Sequence, residues 1–158
     1  MLASLLCITA AAEPHTVFVI RHAERAGGTD PSVGISEAGR CRASKLAGML
    51  QDAHITGVYA TEVARTQQTA EPLAKQFHIQ TRIVPAKEYD QLLAQLKTAK
   101  GNAVVVGHSN TVPEIIQRLG AGPVPAIADA QYDLLFVVTR LDAQHASVVT
   151  LHYPGCER

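Results

Sequence analysis

Two arginines and two histidines in this sequence are of types that do chemistry and stand where a fold can gather them. Arg21 and His22 end the apolar, β-branched run of "VFVIRHAER" at residues 17–25, Arg65 opens "RTQQTA", and His108 follows "NAVVVG" in the tetrad Gly107, His108, Ser109 and Asn110. Arginine presents a planar fork of donors that matches phosphate oxygens bidentately and stays charged at any working pH. A neutral imidazole offers a nitrogen lone pair that can attack phosphorus, while a second ring, protonated or donating a hydrogen bond, stabilises charge on the equatorial oxygens. His22, held at a rigid strand end beside Arg21, is the candidate nucleophile. A phosphoryl group on imidazole nitrogen is labile enough for water to remove, so one difficult hydrolysis becomes two easier steps with no metal.

These side chains meet only if the elements bearing them end at one edge. In open α/β sheets the working groups collect beyond the C-terminal ends of the strands. The pattern supplies such elements: after the strand at 17–20 comes the loop "AGGTDPSVG" (residues 26–34), then a helical spacing of Ala43, Leu46, Ala47 and Leu50 with Ser36 as N-cap. "GVYAT" reads as a second strand and Thr61 as the cap of a helix over residues 62–77. "TRIV" is a strand, "YDQLLAQLKTA" a helix, and "NAVVVG" a buried strand. Thr111 and Glu114 have capping-box spacing ahead of another helix. After the loop "GAGPVPAIADAQ", the runs "LLFVVTRL" and "ASVVTLHY" suit an antiparallel pair at the end of the sheet. The alternation predicts a three-layer α/β/α sandwich with a mostly parallel sheet.

At 158 residues with 47% hydrophobic and 18% charged content, the chain fits one well-buried domain. Lys plus Arg and Asp plus Glu balance at 14 each, which argues against a nucleic-acid binder that relies on a basic stripe. Any anion must be held by a few local cations. No apolar stretch approaches the roughly 20 residues that span a bilayer. The opening "MLASLLCITAAAE" has signal-peptide length and ends in Ala10, Ala11 and Ala12, a small-residue cleavage pattern before Glu13, although it lacks a basic leader. We expect residues 1–12 to be an export signal to the periplasm or exterior, and residues 13–158 to be the working domain. Removing the signal leaves Cys41 and Cys156, either bonded in an oxidising compartment or two free thiols. His15, His54, His78, His145 and His152 show no metal-ligand spacing and read as surface or core residues. No metal and no cofactor is expected.

Three blocks, Arg21 to Glu24 ("RHAE"), Arg65 to Ala70 ("RTQQTA") and Gly107 to Ser109 ("GHS"), stand in the order of the histidine phosphatase superfamily, also called phosphoglycerate mutase-like, and together resemble its short, phosphohistidine phosphatase-like branch. The resemblance implies that His22 is the phosphorylated nucleophile and that Arg21, Arg65 and His108 form the phosphate pocket. It implies a phosphatase acting on a phosphorylated small molecule or a phosphoprotein. Glu24 is either an acid that orients the pocket arginines or a solvated loop carboxylate. The longer members carry a glutamate proton donor in an insertion after the second arginine, and its motif is absent here. Glu88 and Asp90 are the acids in that stretch, with Glu88 taken as the candidate. The short tract from Arg65 to His108 leaves little room for a lid, which favours phosphatase over mutase chemistry, because a mutase must shield its phosphoenzyme from water. Residues 26–34 are expected to help select the substrate. Two rivals remain: a non-catalytic phosphoryl-binding module on the same fold, and a serine hydrolase using Ser109, since "VVVGHSNT" resembles an incomplete nucleophile elbow.

Overall fold

The computed structural model describes residues 15–28, 30–140 and 145–156. The expected signal, residues 1–12, lies outside the described residues. The chain runs β1 (Thr16–Arg21), α1 (Glu37–Met49), β2 (Ile55–Ala60), α2 (Ala64–Gln76), β3 (Arg82–Ile83), α3 (Tyr89–Lys97), β4 (Asn102–Gly107), α4 (Val112–Arg118), β5 (Leu134–Arg140) and β6 (Ala146–His152). The strands form one sheet in the order β3-β2-β4-β1-β5-β6. The first four are parallel, and β5 and β6 join as the expected antiparallel pair.

Side-chain alternation along the central strands builds two cores. Val17, Val19, Ala103 and Val105 face Leu92 and Leu96 of α3 and Ile115 and Ile116 of α4. Ile20, Val58, Val104 and Val106 face Leu46 and Ala47 of α1 and Ala70 and Leu73 of α2. Each such buried aliphatic side chain contributes about 1.5–3 kcal/mol, so both faces must be covered and the expected sandwich results. Among the described residues no helix is long and apolar enough to cross a membrane.

Ser36 caps α1 as predicted, its Oγ accepting from the Gly39 N–H at 3.1 Å. The same turn is tied to the end of β1, because the Ser36 N–H donates to the Glu24 carbonyl at 2.7 Å. A Cβ on Gly39 would lie 2.4 Å from that carbonyl, so the close approach requires glycine.

Other caps differ from expectation. α2 starts at Ala64, with Val63 in the N-cap position and no side-chain cap. Thr61 does accept from the Val63 N–H at 3.3 Å, but it sits before the helix and its hydroxyl is shared with Thr66 and His108. Thr111 does not cap α4: its helical backbone (φ −95°, ψ −28°) keeps the hydroxyl from the N–H groups ahead, and Oγ1 instead accepts from the His108 N–H at 2.9 Å. The strand at "TRIV" shrinks to two residues. Pro85, lacking an N–H, cannot extend it.

Two of the scattered histidines have backbone roles. His54 and His78 hold φ of 49° and 54°. His78 follows the C-cap of α2, donating from its N–H to the Lys75 carbonyl at 3.2 Å while Ile79 donates to Ala74 at 2.9 Å. That is a Schellman closure with a histidine where glycine is usual. His152 lies 2.7 Å from the Asp133 carboxylate. Cys41 on α1 is bonded to Cys156 at a Cα separation of 6.0 Å, which settles the two alternatives for this pair.

Candidate active site

Strand register brings the predicted residues together. In the parallel β1–β4 pair Arg21 stands opposite Gly107, and the His22 N–H continues the ladder to the Gly107 carbonyl at 2.9 Å. The next residues, His22 and His108, therefore leave the sheet side by side, with ring centroids 5.4 Å apart and an edge-on angle of 67°. β2 flanks β4 with Ala60 opposite Val106, so Thr61 reaches the same edge and its Oγ1 lies 3.2 Å from His108 Nε2. Arg65, in the first turn of α2, donates from Nε to His22 Nε2 at 3.1 Å.

Both nitrogens of His22 demand the same tautomer. Nδ1 lies 2.7 Å from the Ala23 carbonyl, which only accepts, so the proton is on Nδ1 and the bond is a donation. Nε2 keeps its lone pair, which receives the Arg65 N–H. Burial pushes the pKa of this ring down to about 4, and the charges of His108, Arg21 and Arg65 add to the shift against the Ala23 hydrogen bond. His108 is lowered too, first by burial and then by Arg65 and Arg21, with Glu62 opposing. With Thr66 Oγ1 donating to the Val63 carbonyl at 2.8 Å, Thr61 donates to Thr66 and accepts from His108. A neutral His108 then carries its proton on Nε2, the donor form of its expected role.

"RTQQTA" also braces the edge. Thr69 Oγ1 accepts from the Ala23 N–H at 2.9 Å and donates to the Arg65 carbonyl at 2.7 Å, and Gln68 Oε1 accepts from the Ile35 N–H at 2.8 Å. Arg21 is only 7% exposed. Its Nη1 donates to the carbonyls of Ala128, Asp129 and Gln131 at 2.8, 3.0 and 3.1 Å, and its guanidinium carbon lies 4.2 Å from the centroid of the Tyr132 ring. Among the described residues its buried Nε has no partner.

Residues 17–92 match the model of the histidine phosphatase superfamily (branch 1). This match assigns residues 17–92 to that superfamily. Solved structures share the fold of this phosphatase. That of the protein histidine phosphatase SixA complexed with tungstate has a TM-score of 0.71 at 16% identity, covering 87% of this chain and 96% of its own. A mycobacterial glucosyl-3-phosphoglycerate phosphatase gives 0.69 at 11% identity, with 89% and 98% covered. A mycobacterial hydrolase gives 0.72 at 13%, with 90% and 100% covered. No curated protein matches the sequence.

The expected role of Glu24 needs correction. Its Oε1 holds Arg42, at 2.8 Å from both Nε and Nη2, rather than a pocket arginine, because Arg42 on α1 faces it across the Ser36 turn. Nor is it a solvated loop carboxylate, since its Oε2 is buried. Of the two acids proposed as proton donors, Asp90 pairs with Arg118 at 3.7 Å, whereas Glu88 lines a small cavity with Thr61, Gly107 and Thr111. Ser109 has no hydrogen bond to a histidine among the described residues, and its φ is not positive, so the strained turn of a nucleophile elbow is missing. The sequence reading missed Tyr132, whose ring centroid lies 6.1 Å from that of His22, and Glu62, whose charge acts on His108 and whose Oε2 accepts from the Ala86 N–H at 2.9 Å. Glu62 was discoverable as the only acid in "ATEVARTQQTA".

Proposed function

We propose that this phosphatase hydrolyses phosphomonoesters or phosphohistidine through a phosphoryl group carried on His22 Nε2, without a metal ion. The observation that carries the reading is the Nδ1–H donation to Ala23, which leaves the Nε2 lone pair facing Arg65 and His108. In the first step an N–P bond forms at Nε2 as the bond from phosphorus to the leaving group breaks, a P–O bond in a phosphomonoester and a P–N bond in phosphohistidine. Arg21 Nε, the Arg65 guanidinium and His108 Nε2–H neutralise the equatorial oxygens, a charge-stabilising task that elsewhere falls to divalent ions. In the second step water attacks phosphorus, the N–P bond breaks, its electron pair returns to His22 Nε2, and the proton lost by the water passes to the Glu88 carboxylate or to solvent. Glu88 protonates the leaving oxygen of substrates whose alkoxide is a poor leaving group.

Both substrate classes occur by name among the structural neighbours, one a protein histidine phosphatase and one a glucosyl-3-phosphoglycerate phosphatase. The loop that follows the Arg21–His22 strand end is tied to the first residue of α2, where the Ala64 N–H donates to the Pro31 carbonyl at 3.3 Å, and it selects between them. The apolar start and the Cys41–Cys156 bond together support export. The deciding experiment is rapid quenching with phosphate-labelled substrate. A protein-bound label should survive alkali, disappear in mild acid and map to the His22 peptide, and turnover should be unchanged by chelators. His22→Ala should lose both label and turnover; an acid-stable label, or undiminished turnover by His22→Ala, would refute the mechanism.

A further inference from the structure

We infer that Tyr132 is a positioning residue for phosphate binding, acting through Arg21 by means of its ring and not its hydroxyl. This role presupposes that Arg21 grips phosphate. An arginine at the end of a strand has four side-chain torsions, and the strand fixes only its Cα. What fixes the guanidinium here is the segment between α4 and β5. Three successive contacts from Nη1 to the carbonyls of Ala128, Asp129 and Gln131 pin one corner of the fork, and the Tyr132 ring covers one of its faces at 4.2 Å. One pinned corner leaves the plane free to pivot; a ring against the face removes that freedom. The buried Nε is then held as a donor with no acceptor among the described residues, an arrangement that costs free energy unless an anion completes it. Tyr132 also leans on the His22 ring at 6.1 Å and 51°, so one side chain touches both the nucleophile and the cation that must face the same phosphorus. The Tyr132 hydroxyl makes no hydrogen bond among the described residues, whereas the ring has contacts on Arg21 and His22.

Removing a ring that covers a largely desolvated guanidinium should weaken phosphate binding roughly tenfold, which is about 1.4 kcal/mol. Inorganic phosphate titrated calorimetrically into the full chain reads this directly. Tyr132→Phe should bind within about twofold of the unaltered protein and Tyr132→Leu about tenfold more weakly. In an Arg21→Met background, Tyr132→Leu should cost nothing further, because its effect is transmitted only through the guanidinium. Equal losses in both backgrounds, or an unaffected Tyr132→Leu, overturn the role. If Tyr132→Leu does not fold, Tyr132→Gln replaces it with the same expectation. Absence of phosphate binding by the unaltered protein overturns the phosphate pocket itself, and the role of Tyr132 with it; binding that survives loss of the ring overturns the role alone.

Discussion

The Arg65 N–H rests on the His22 Nε2 lone pair, so under the proposed mechanism the free protein would keep its nucleophile engaged by the cation that substrate must reclaim. Phosphate oxygens are far better acceptors for a guanidinium than imidazole is, and their arrival turns the N–H from nitrogen to oxygen. The pKa of about 4 bears on the same atom. The His22 ring should titrate near pH 4 in an NMR titration of the ligand-free protein, and stay neutral where an ordinary histidine is half-protonated. The stability consequence has a definite sign. Between about 6.5 and about 4 the unfolded chain binds a proton at this residue and the folded one does not, so stability falls as pH is lowered through that window. A ring titrating near 6.5 in the folded protein would remove both expectations.

At the scale of elements, what was legible followed from local pattern, and what was not came from register and backbone. "VFVIRHAER" and "NAVVVG" announce strands that end in chemistry, and their parallel pairing does the rest. The part of the pocket built by Ala128, Asp129 and Gln131 has no residue signature, because it uses only carbonyls that any sequence would supply. Thr61 looked like a cap because nothing local says that β4 will lie beside β2 and put His108 within reach of its hydroxyl. His78 looked idle because a left-handed backbone is visible only in the fold. That residue gives a test of the α2 terminus. His78→Gly relieves a φ of 54° without touching the Schellman hydrogen bonds, and should stabilise the protein by about 0.5–1 kcal/mol in urea unfolding. An unchanged or lowered midpoint would mean that the imidazole has a role in packing that outweighs the backbone.

Across the whole molecule the Cys41–Cys156 bond joins α1 to the chain end over a separation of 115 residues. A closure of that length restricts the unfolded chain strongly, and Cys156→Ser should lower the unfolding free energy by about 2–5 kcal/mol. Protein recovered from its native compartment should carry the bond and begin near Glu13; a reduced pair on a chain still starting at Met1 would count against export. The bond also divides the sheet. β2 to β6 all lie between the two cysteines, while β1, the strand that ends in Arg21 and His22, lies before the first of them. A protease cut within the closed stretch leaves two pieces that stay linked until a reductant is added. A cut in the exposed run around Gly27 and Gly28 is of another kind: it makes β1 a separate peptide, threaded between β4 and β5 and retained by hydrogen bonds and packing alone. Under the proposed mechanism the nucleophile would then belong to a removable part, and the covalently closed remainder would be an inactive scaffold shaped to receive it.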